Sequence, residues 1–173
     1  MKSTVSDAYH AHPMAPDATL RCLTDAMGSD TWQRVLAQRF SSPDDCVAEI
    51  FNSRRPGGAY RCTRGDGVPF GWAVYFRFHE RAGYDGSMKL VLHSEDEDAS
   101  STVFDVLSTA CASKGIEQGV HTLISVVDSH MQHHASWFSD SPFLLGGAVG
   151  ARGNSMLNVF YRKLLDDSAG HSR

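Results

Sequence analysis

Apolar residues recur every three or four positions in two early segments of the chain, and this spacing predicts helices. The segment SDTWQRVLAQRF, residues 29–40, opens with Ser and Asp and places Trp32, Val35 and Leu36 on one helical face. The segment SSPDDCVAEIFNSR, residues 41–54, has a serine cap, a proline in its first turn and acidic residues at the positive helix end. Both segments are therefore predicted to be amphipathic helices.

Alternating apolar and polar positions predict strands elsewhere in the chain. A turn at Gly65-Asp66-Gly67 divides GAYRCTRGDGVPFGWAVYFRFHE, residues 58–80, into two strands. The most apolar and β-branched segment, GVHTLISVVD at 119–128, is predicted to be a central strand of the sheet. The other predicted strands are ATLRCLT (18–24), MKLVLH (88–93) and a hairpin within FLLGGAVGARGNSMLNVFYRKLL (143–165).

Two later helices are also predicted. Ser and Thr residues, which favour a helix N-terminus, predict the first from about Ser101 to Ser113. A run of four carboxylates, Glu95–Asp98, precedes it. A helix start of this kind normally favours an anion, because its N–H groups and its dipole both carry positive charge. The acidic run therefore opposes the binding of a phosphate at this position. The segment SHMQHHASWFSDS, residues 129–141, predicts the second helix, which is shorter.

The order of the predicted elements indicates one domain of the α/β class. We expect residues 1–17, which are polar and contain proline, to be a flexible extension, residues 18–164 to form the domain, and residues 165–173 to be a polar tail. The order of elements is β-α-α-β-β-β-α-β-α-β-β. A chain of 173 residues is long enough for one domain with a substantial core.

Composition narrows the classes of function. The net charge is −4, and no cluster of Lys or Arg forms a basic stripe, so we expect no nucleic-acid partner. No apolar run approaches the roughly 20 residues of a membrane span, and the N-terminus lacks the apolar region of a signal peptide. We therefore expect a cytoplasmic protein without a membrane partner.

The four cysteines form no C-x-x-C pair, so buried free thiols are favoured over a metal site.

Three stretches resemble the phosphinothricin-acetyltransferase-like branch of the GCN5-related N-acetyltransferases, the GNAT superfamily. GWAVYFRFHERAGYDGSMKLVLH, residues 71–93, resembles the branch's G-Y-A-x(7)-R-x-x-Y-x(4)-E-x-S-V-Y-V. GVHTLISVVD is similar to R-G-I-x-x-L-I-x-x-I-D, and FLLGGAV with LNVFYRKL resembles the final pair of strands. The resemblance implies a GNAT fold, which is a mixed, twisted central sheet flanked by helices and splayed between its fourth and fifth strands.

The resemblance also implies a site for a pantetheine thioester, but the phosphate loop is degenerate. The family pattern Q/R-x-x-G-x-G/A falls on Ala99–Phe104, which contains no glycine and ends in a bulky ring. Pantetheine could still add to the sheet edge through backbone groups. We expect no permanently bound cofactor, and an acyl group carried on an acyl carrier protein or on CoA. The donor-binding candidates are Leu92, Ser94, Ser100, Ser101 and Thr102.

The catalytic positions of the branch have changed as well. The strand Glu that is often taken as the general base is matched by Lys89, the helical Tyr or His by Phe138, and the Asn by Met131. Alternation along the strand places Lys89 and His93 on the face that looks into the cleft. His93 is then the predicted general base, since an imidazole titrates near neutral pH. The alternative is a solvated histidine whose pKa the acidic neighbours raise.

The acceptor side is predicted from charged and aromatic residues in two places. Arg81 and Tyr84 occupy a loop that shapes the acceptor pocket in the related branch, and Lys89 could hold a carboxylate of the acceptor. His130 and His134 lie one helical turn apart and could line the acceptor end of the cleft. That spacing can bind zinc, but no Glu or Cys completes a site, so no metal is predicted.

These features predict an N-acyltransferase that moves an acyl group from a pantetheine thioester to an amine of a small molecule. One alternative is an ordinary acetyl-CoA-dependent N-acetyltransferase, in which serine and threonine hydroxyls replace the glycine N–H groups. Another is a non-catalytic binding protein with a GNAT fold. The acidic loop disfavours an aminoacyl-tRNA-dependent transferase, and the sequence leaves the oligomeric state open.

Overall fold

The computed structural model describes residues 8–79, 84–150 and 156–164, and in these ranges one mixed sheet is flanked by helices on both faces. The strands lie in the order β1-β2-β3-β4-β5-β7-β6, and neighbours are antiparallel except for β4 and β5. The helices are α1 (Pro16–Asp25), α2 (Pro43–Ile50), α3 (Ser100–Glu117) and α4 (Gln132–Asp140). The strands are β1 (Tyr9–Pro13), β2 (Gly58–Arg64), β3 (Pro69–Arg77), β4 (Ser87–Ser94), β5 (Thr122–Asp128), β6 (Leu144–Gly150) and β7 (Met156–Lys163).

Local chemistry accounts for the elements that the sequence predicted correctly. The side chain of Ser42 caps α2 by accepting a hydrogen bond from the N–H of Asp45, and a proline occupies the first turn. Gly67 has a φ of +82° in the turn between β2 and β3, where the carboxylate of Asp66 accepts from the N–H of Val68. The predicted hairpin and the helix at 41–54 are therefore confirmed.

Residues near the N-terminus differ from the sequence-based prediction. The segment Ala18–Thr24, predicted as a strand, lies in helix α1, which starts at Pro16 and buries Thr19, Cys22 and Leu23 at helical spacing. Residues 9–13, assigned to the flexible extension, form β1 and pair with β2. A short polar strand is not visible as local periodicity, because its stability comes from a partner strand about 50 residues away in the chain.

The helix predicted over residues 29–40 is replaced by two short turns. Thr31–Val35 is a turn of π-helix and Leu36–Gln38 a turn of 3-10 helix; together they are called the crossing segment. The crossing segment contacts both β4 and β5 on one face of the sheet. Its apolar residues Trp32, Val35 and Leu36 are buried as predicted, so the pattern identified the inward face correctly but not the helix type.

The sheet opens between β4 and β5, as the GNAT resemblance implied. The parallel ladder joins Ser87–Lys89 to Thr122–Ile124 and ends there. Just beyond it, the hydroxyl of Ser125 donates to the carbonyl of Leu90 at 2.8 Å. The gap that opens from this point towards the ends of the two strands is called the wedge.

The core fills both sides of the sheet. On one face Phe76 packs edge-to-face with Phe40, next to the crossing segment. On the other face Phe104 and Leu107 of α3 are completely buried against the strands. Within the described residues, no helix is both long enough and apolar enough to cross a membrane.

Candidate active site

A pocket of about 230 Å³ lies at the mouth of the wedge, where β4 and β5 end. Polar residues from five parts of the chain converge here, which suits a small polar ligand. Its lining residues are Ser29–Thr31 before and within the crossing segment, His93 and Ser94 of β4, Glu97 of the acidic loop, Ser100 of α3, and residues 130–134 at the start of α4.

His93 lies at the back of this pocket in a fixed position. Its Nδ1 is 2.9 Å from the hydroxyl oxygen of Thr31, and its ring stacks on Trp72 with 4.9 Å between the ring centroids. Burial lowers the pKa of His93 from its ordinary 6.5 to about 4. The alternative of a solvated histidine with a raised pKa is therefore wrong, and His93 is neutral at neutral pH.

Asp128, at the end of β5, holds His130, which lines the pocket. Its Oδ1 accepts hydrogen bonds of 2.9 Å from both the backbone N–H and Nδ1 of His130. Arg34 of the crossing segment lies 3.6 Å from the same oxygen. Burial acts to raise the pKa of Asp128, but the two bonds from His130 and the charge of Arg34 outweigh it, so the pKa of this carboxyl is lowered.

The remaining two imidazoles of the pocket belong to α4 and differ in environment. His133 is exposed and lies 3.2 Å from the carboxylate of Glu97. His134 packs edge-to-face on Phe104 at 4.8 Å between ring centroids. Burial, together with the nearby His93 and His133, lowers the pKa of His134 to about 4.

Two of the four hydroxyls predicted to bind the donor are engaged within the protein. Ser94 donates to the carbonyl of Asp96 at 2.7 Å, and Ser100 donates to the carbonyl of Glu97 at 2.8 Å. Ser101 and Thr102 are exposed on the first turn of α3. Of the predicted hydroxyls, those of Ser101 and Thr102 are therefore the ones that a phosphate at this turn would meet.

The backbone of Leu92 is the donor-binding candidate that the fold supports. The N–H of Glu95 donates to the carbonyl of Phe70, and alternate residues of an antiparallel strand point to opposite edges. The N–H and C=O of Leu92 therefore point away from β3 and into the wedge. The β4–β5 ladder ends at Lys89, so these groups face no strand partner in the described part of the sheet.

No protein-family model and no curated protein matches the sequence, whereas solved structures match the fold. An acetyltransferase of Salmonella typhimurium, solved with its cofactor acetyl-CoA, superimposes with a TM-score of 0.75 at 12% identity, covering 96% of this chain and 99% of that one. A GNAT-superfamily phosphinothricin acetyltransferase of Sinorhizobium meliloti, in complex with acetyl-CoA, gives 0.72 at 15% identity over 95% and 93%. A ribosomal-protein-alanine N-acetyltransferase of Brucella melitensis gives 0.70 at 16% identity over 88% and 98%.

The chain has the GNAT fold. The matches cover nearly all of the chain, and the splay between the fourth and fifth strands appears where the resemblance implied it. Identities of 12–16% show the fold of this chain and leave its activity to be argued from the site.

The GNAT fold separates some of the residues that the sequence grouped together. Lys89 lies at the base of the wedge and is not part of the pocket; burial and the charge of Arg39 lower its pKa to about 8. Tyr84 is exposed and packs against the rings of Phe78 and His79. Arg81 lies outside the described residues.

Sequence reasoning missed three residues that line the pocket or hold its lining residues in place. They are Thr31, which contacts His93, and Arg34 and Asp128, which contact each other. The sequence carried a usable signal for Asp128, which ends the most apolar strand and is followed two residues later by His130. Nothing local indicated Thr31 or Arg34, because the contacts of both depend on the path of the crossing segment.

Proposed function

We propose that the protein is an N-acyltransferase that moves an acyl group from a pantetheine thioester to an amine of a small molecule. The observation that carries this proposal is the wedge, which exposes the backbone edge of Leu92 and leads into a pocket lined by imidazoles. A pantetheine arm contains two amide groups, which can pair with such an edge as an added strand. This interaction does not depend on a glycine-rich phosphate loop.

The proposed chemistry depends on where the thioester lies when the pantetheine arm occupies the wedge. A carbonyl placed near the N–H of Leu92 would be polarised by it, as an oxyanion hole polarises an acyl group. An amine in the pocket could then attack this carbon. Asp30 and Glu97 line the same pocket, and their negative charge favours an acceptor that carries a basic amine.

The donor is proposed to carry fewer phosphates than CoA. A second recess, of about 200 Å³, lies beside the first turn of α3 and is lined by the carboxylates of Asp105 and Asp140. Together with the acidic run Glu95–Asp98, these groups repel a polyphosphate by roughly 1 kcal/mol for each close pair. A carrier-protein arm has a single phosphodiester and meets less of this repulsion. The acetyl-CoA bound to two of the similar structures supports CoA as the alternative donor.

His93 was predicted to be the general base, but its environment favours another role. An imidazole with a pKa of about 4 holds a proton weakly at neutral pH, whereas a general base works best when its pKa is near the working pH. We therefore assign His93 to the wall that positions the acceptor, together with His134. Phe138 stands where the related branch has its general acid, and it is buried between Phe143 and Phe160. Its phenyl ring has no ionisable group and so cannot act as a general acid.

The proposal is tested by offering both donors. Acetyl-CoA and an acetylated acyl carrier protein are each incubated with the protein and a panel of primary amines, and thiol release and the mass of the amide are followed. We expect the carrier-linked donor to be consumed faster. Two variants are compared with the wild type. His93→Gln changes the pocket, and the matched control His12→Gln changes an exposed histidine of β1. Absence of amide with both donors would contradict transfer and favour the non-catalytic binding protein.

A further inference from the structure

Four imidazoles line the pocket, and their partners distinguish them. His93 and His134 have pKa values lowered to about 4, because both are largely removed from water. His133 has a carboxylate partner in Glu97, but both side chains are mostly exposed, so solvent screens the pair. His130 is the imidazole whose carboxylate partner is buried.

The partner of His130 is held in place from three directions. Asp128 is 5% exposed, and it receives the backbone N–H of His130, the ring Nδ1 of His130 and the guanidinium of Arg34. These contacts stabilise its ionised form, so the acceptor at Nδ1 is a carboxylate at neutral pH. The ring is thereby fixed relative to the end of β5.

A carboxylate at Nδ1 also selects the tautomer of a neutral imidazole. The proton resides on Nδ1, where it is donated to Asp128, and the lone pair resides on Nε2. An imidazole arranged in this way accepts a proton at Nε2, while the carboxylate stabilises the imidazolium that forms. The ring of His130 lines the same pocket as His93 and Ser94, at the mouth of the wedge.

We propose that the Asp128–His130 pair accepts the proton of the attacking amine, with His130 as the base and Asp128 as the residue that positions it. The proposal rests on the acyl transfer proposed above. The neutral amine attacks the thioester carbon; the N–C bond forms and the C–S bond breaks. The proton passes from nitrogen to Nε2 of His130 and then to the departing thiolate, which leaves as a thiol. The pair thus supplies a base and an acid without the family's helical Tyr.

The pH dependence of this step is set by the groups around the pair. Apart from Asp128 itself, the titratable and charged groups that line the pocket or contact the carboxylate are Asp30, Arg34, His93, Glu97, His133 and His134. The pKa values of His93 and His134 lie well below neutral pH, so neither titrates between pH 5.5 and 8, roughly the range in which an ordinary histidine does. An acidic limb in this range would therefore not come from His93 or His134, and comparison of His130→Gln with His133→Gln decides between the other two imidazoles of the pocket.

The test uses the full chain with the donors and amines named above. His130→Gln is expected to lower kcat/KM by about 10²–10⁴-fold and to remove the acidic limb of the pH–rate profile. Asp128→Asn keeps the shape of the side chain but not its charge, and is expected to lower kcat more than it changes KM. The control is His12→Gln on β1, which should leave both the rate and the profile unchanged.

Three results would overturn the assignment, and they are distinguishable. If the wild-type protein forms no amide, both the acyl transfer and the base fail together. If the wild-type protein is active and His130→Gln keeps its rate and its acidic limb, only the base fails. If His93→Gln removes the acidic limb instead, the base is His93. Because Asp128 is buried, its variant is interpreted only if its circular dichroism matches the wild type; His130→Gln decides the question by itself.

Discussion

The buried histidines of the pocket couple its chemistry to the stability of the fold. His134 is neutral in the folded protein, with a pKa of about 4, while the unfolded chain binds a proton near its ordinary value of 6.5. Between these two values the unfolded state holds the additional proton, so stability rises with pH. The contribution of neutral His134 to the free energy of unfolding is complete above pH 6.5 and is lost as the pH falls towards 4.

We expect His134→Gln to weaken this pH dependence. At pH 5 each buried histidine costs the wild type on the order of 1–2 kcal/mol of folding free energy relative to pH 7. Urea unfolding at the two pH values measures the difference. The control is His12→Gln on β1, which changes an exposed histidine far from α4 in the sheet and should keep the wild-type dependence. Equal slopes for the two variants would show that burial does not control the titration of His134.

At the scale of elements, β4 has two edges with different roles. One edge pairs with β3 along the strand, while the other pairs with β5 only at its start. His93 lies opposite Trp72 in the β3 ladder, and its backbone N–H points towards β3, whereas that of Leu92 points into the wedge.

The amide proton of Leu92 is therefore expected to exchange with solvent faster than that of His93. Amide exchange followed by NMR provides the measurement, with His93 as the internal control. Acetyl-pantetheine should slow the exchange of Leu92 and change that of His93 little, because only the first amide faces the wedge. Equal protection of the two amides without ligand would mean that the edge is closed.

The acidic loop between β4 and α3 supports a second prediction at this scale. Changing Glu95, Asp96, Glu97 and Asp98 to their amides removes four charges next to the first turn of α3, so acetyl-CoA should raise the Tm of this variant more than that of the wild type. Added salt should reduce the gain. A charge-matched control changes four exposed carboxylates elsewhere, namely Asp17, Asp44, Asp45 and Glu117. If both variants respond alike, net charge rather than the loop controls the binding of CoA.

At the scale of the whole molecule, the two parts of the sheet are joined by a short ladder and a shared core. Strands β1–β4 meet β5–β7 over three residue pairs, Ser87–Thr122 to Lys89–Ile124. Helix α3 packs on the first part, and its Phe104 contacts Trp137 of α4, which packs on β5 and β6. These contacts bury apolar surface across the junction, so both parts should unfold together.

A variant with Trp137 changed to Phe tests this cooperativity. Its fluorescence comes from Trp72, in β3 of the first part, and from Trp32 of the crossing segment, both of which are buried. Its circular dichroism reports the whole chain. We expect the two signals to give the same urea midpoint. The loss of the hydrogen bond from Trp137 to Asp105 should lower the stability by about 1 kcal/mol relative to the wild type. Two separate midpoints would show that the wedge divides the protein into independent units.

Much of the fold could be predicted because its signals are local. The hairpin of β2 and β3 follows from alternation around a glycine turn, and α2 follows from its cap and its proline. The splay was expected from a family resemblance spread along the chain, and the structure confirms it. The predicted strand at Ala18–Thr24 was wrong, because six or seven residues of mixed polarity also fit one face of a helix.

The sequence by itself determined which apolar residues of the helices and strands are buried, where most elements lie and which histidines are available to the site, since these depend on neighbours along the chain. Only the tertiary structure decided which polar groups meet. Thr31 reaches His93 across 62 positions of the chain, and Arg34 reaches Asp128, because the crossing segment lies over the wedge. Burial then set the pKa values, which a sequence does not reveal. The change of role from His93 to the Asp128–His130 pair has this physical origin: proton affinity depends on the solvent and partners that folding leaves around each imidazole.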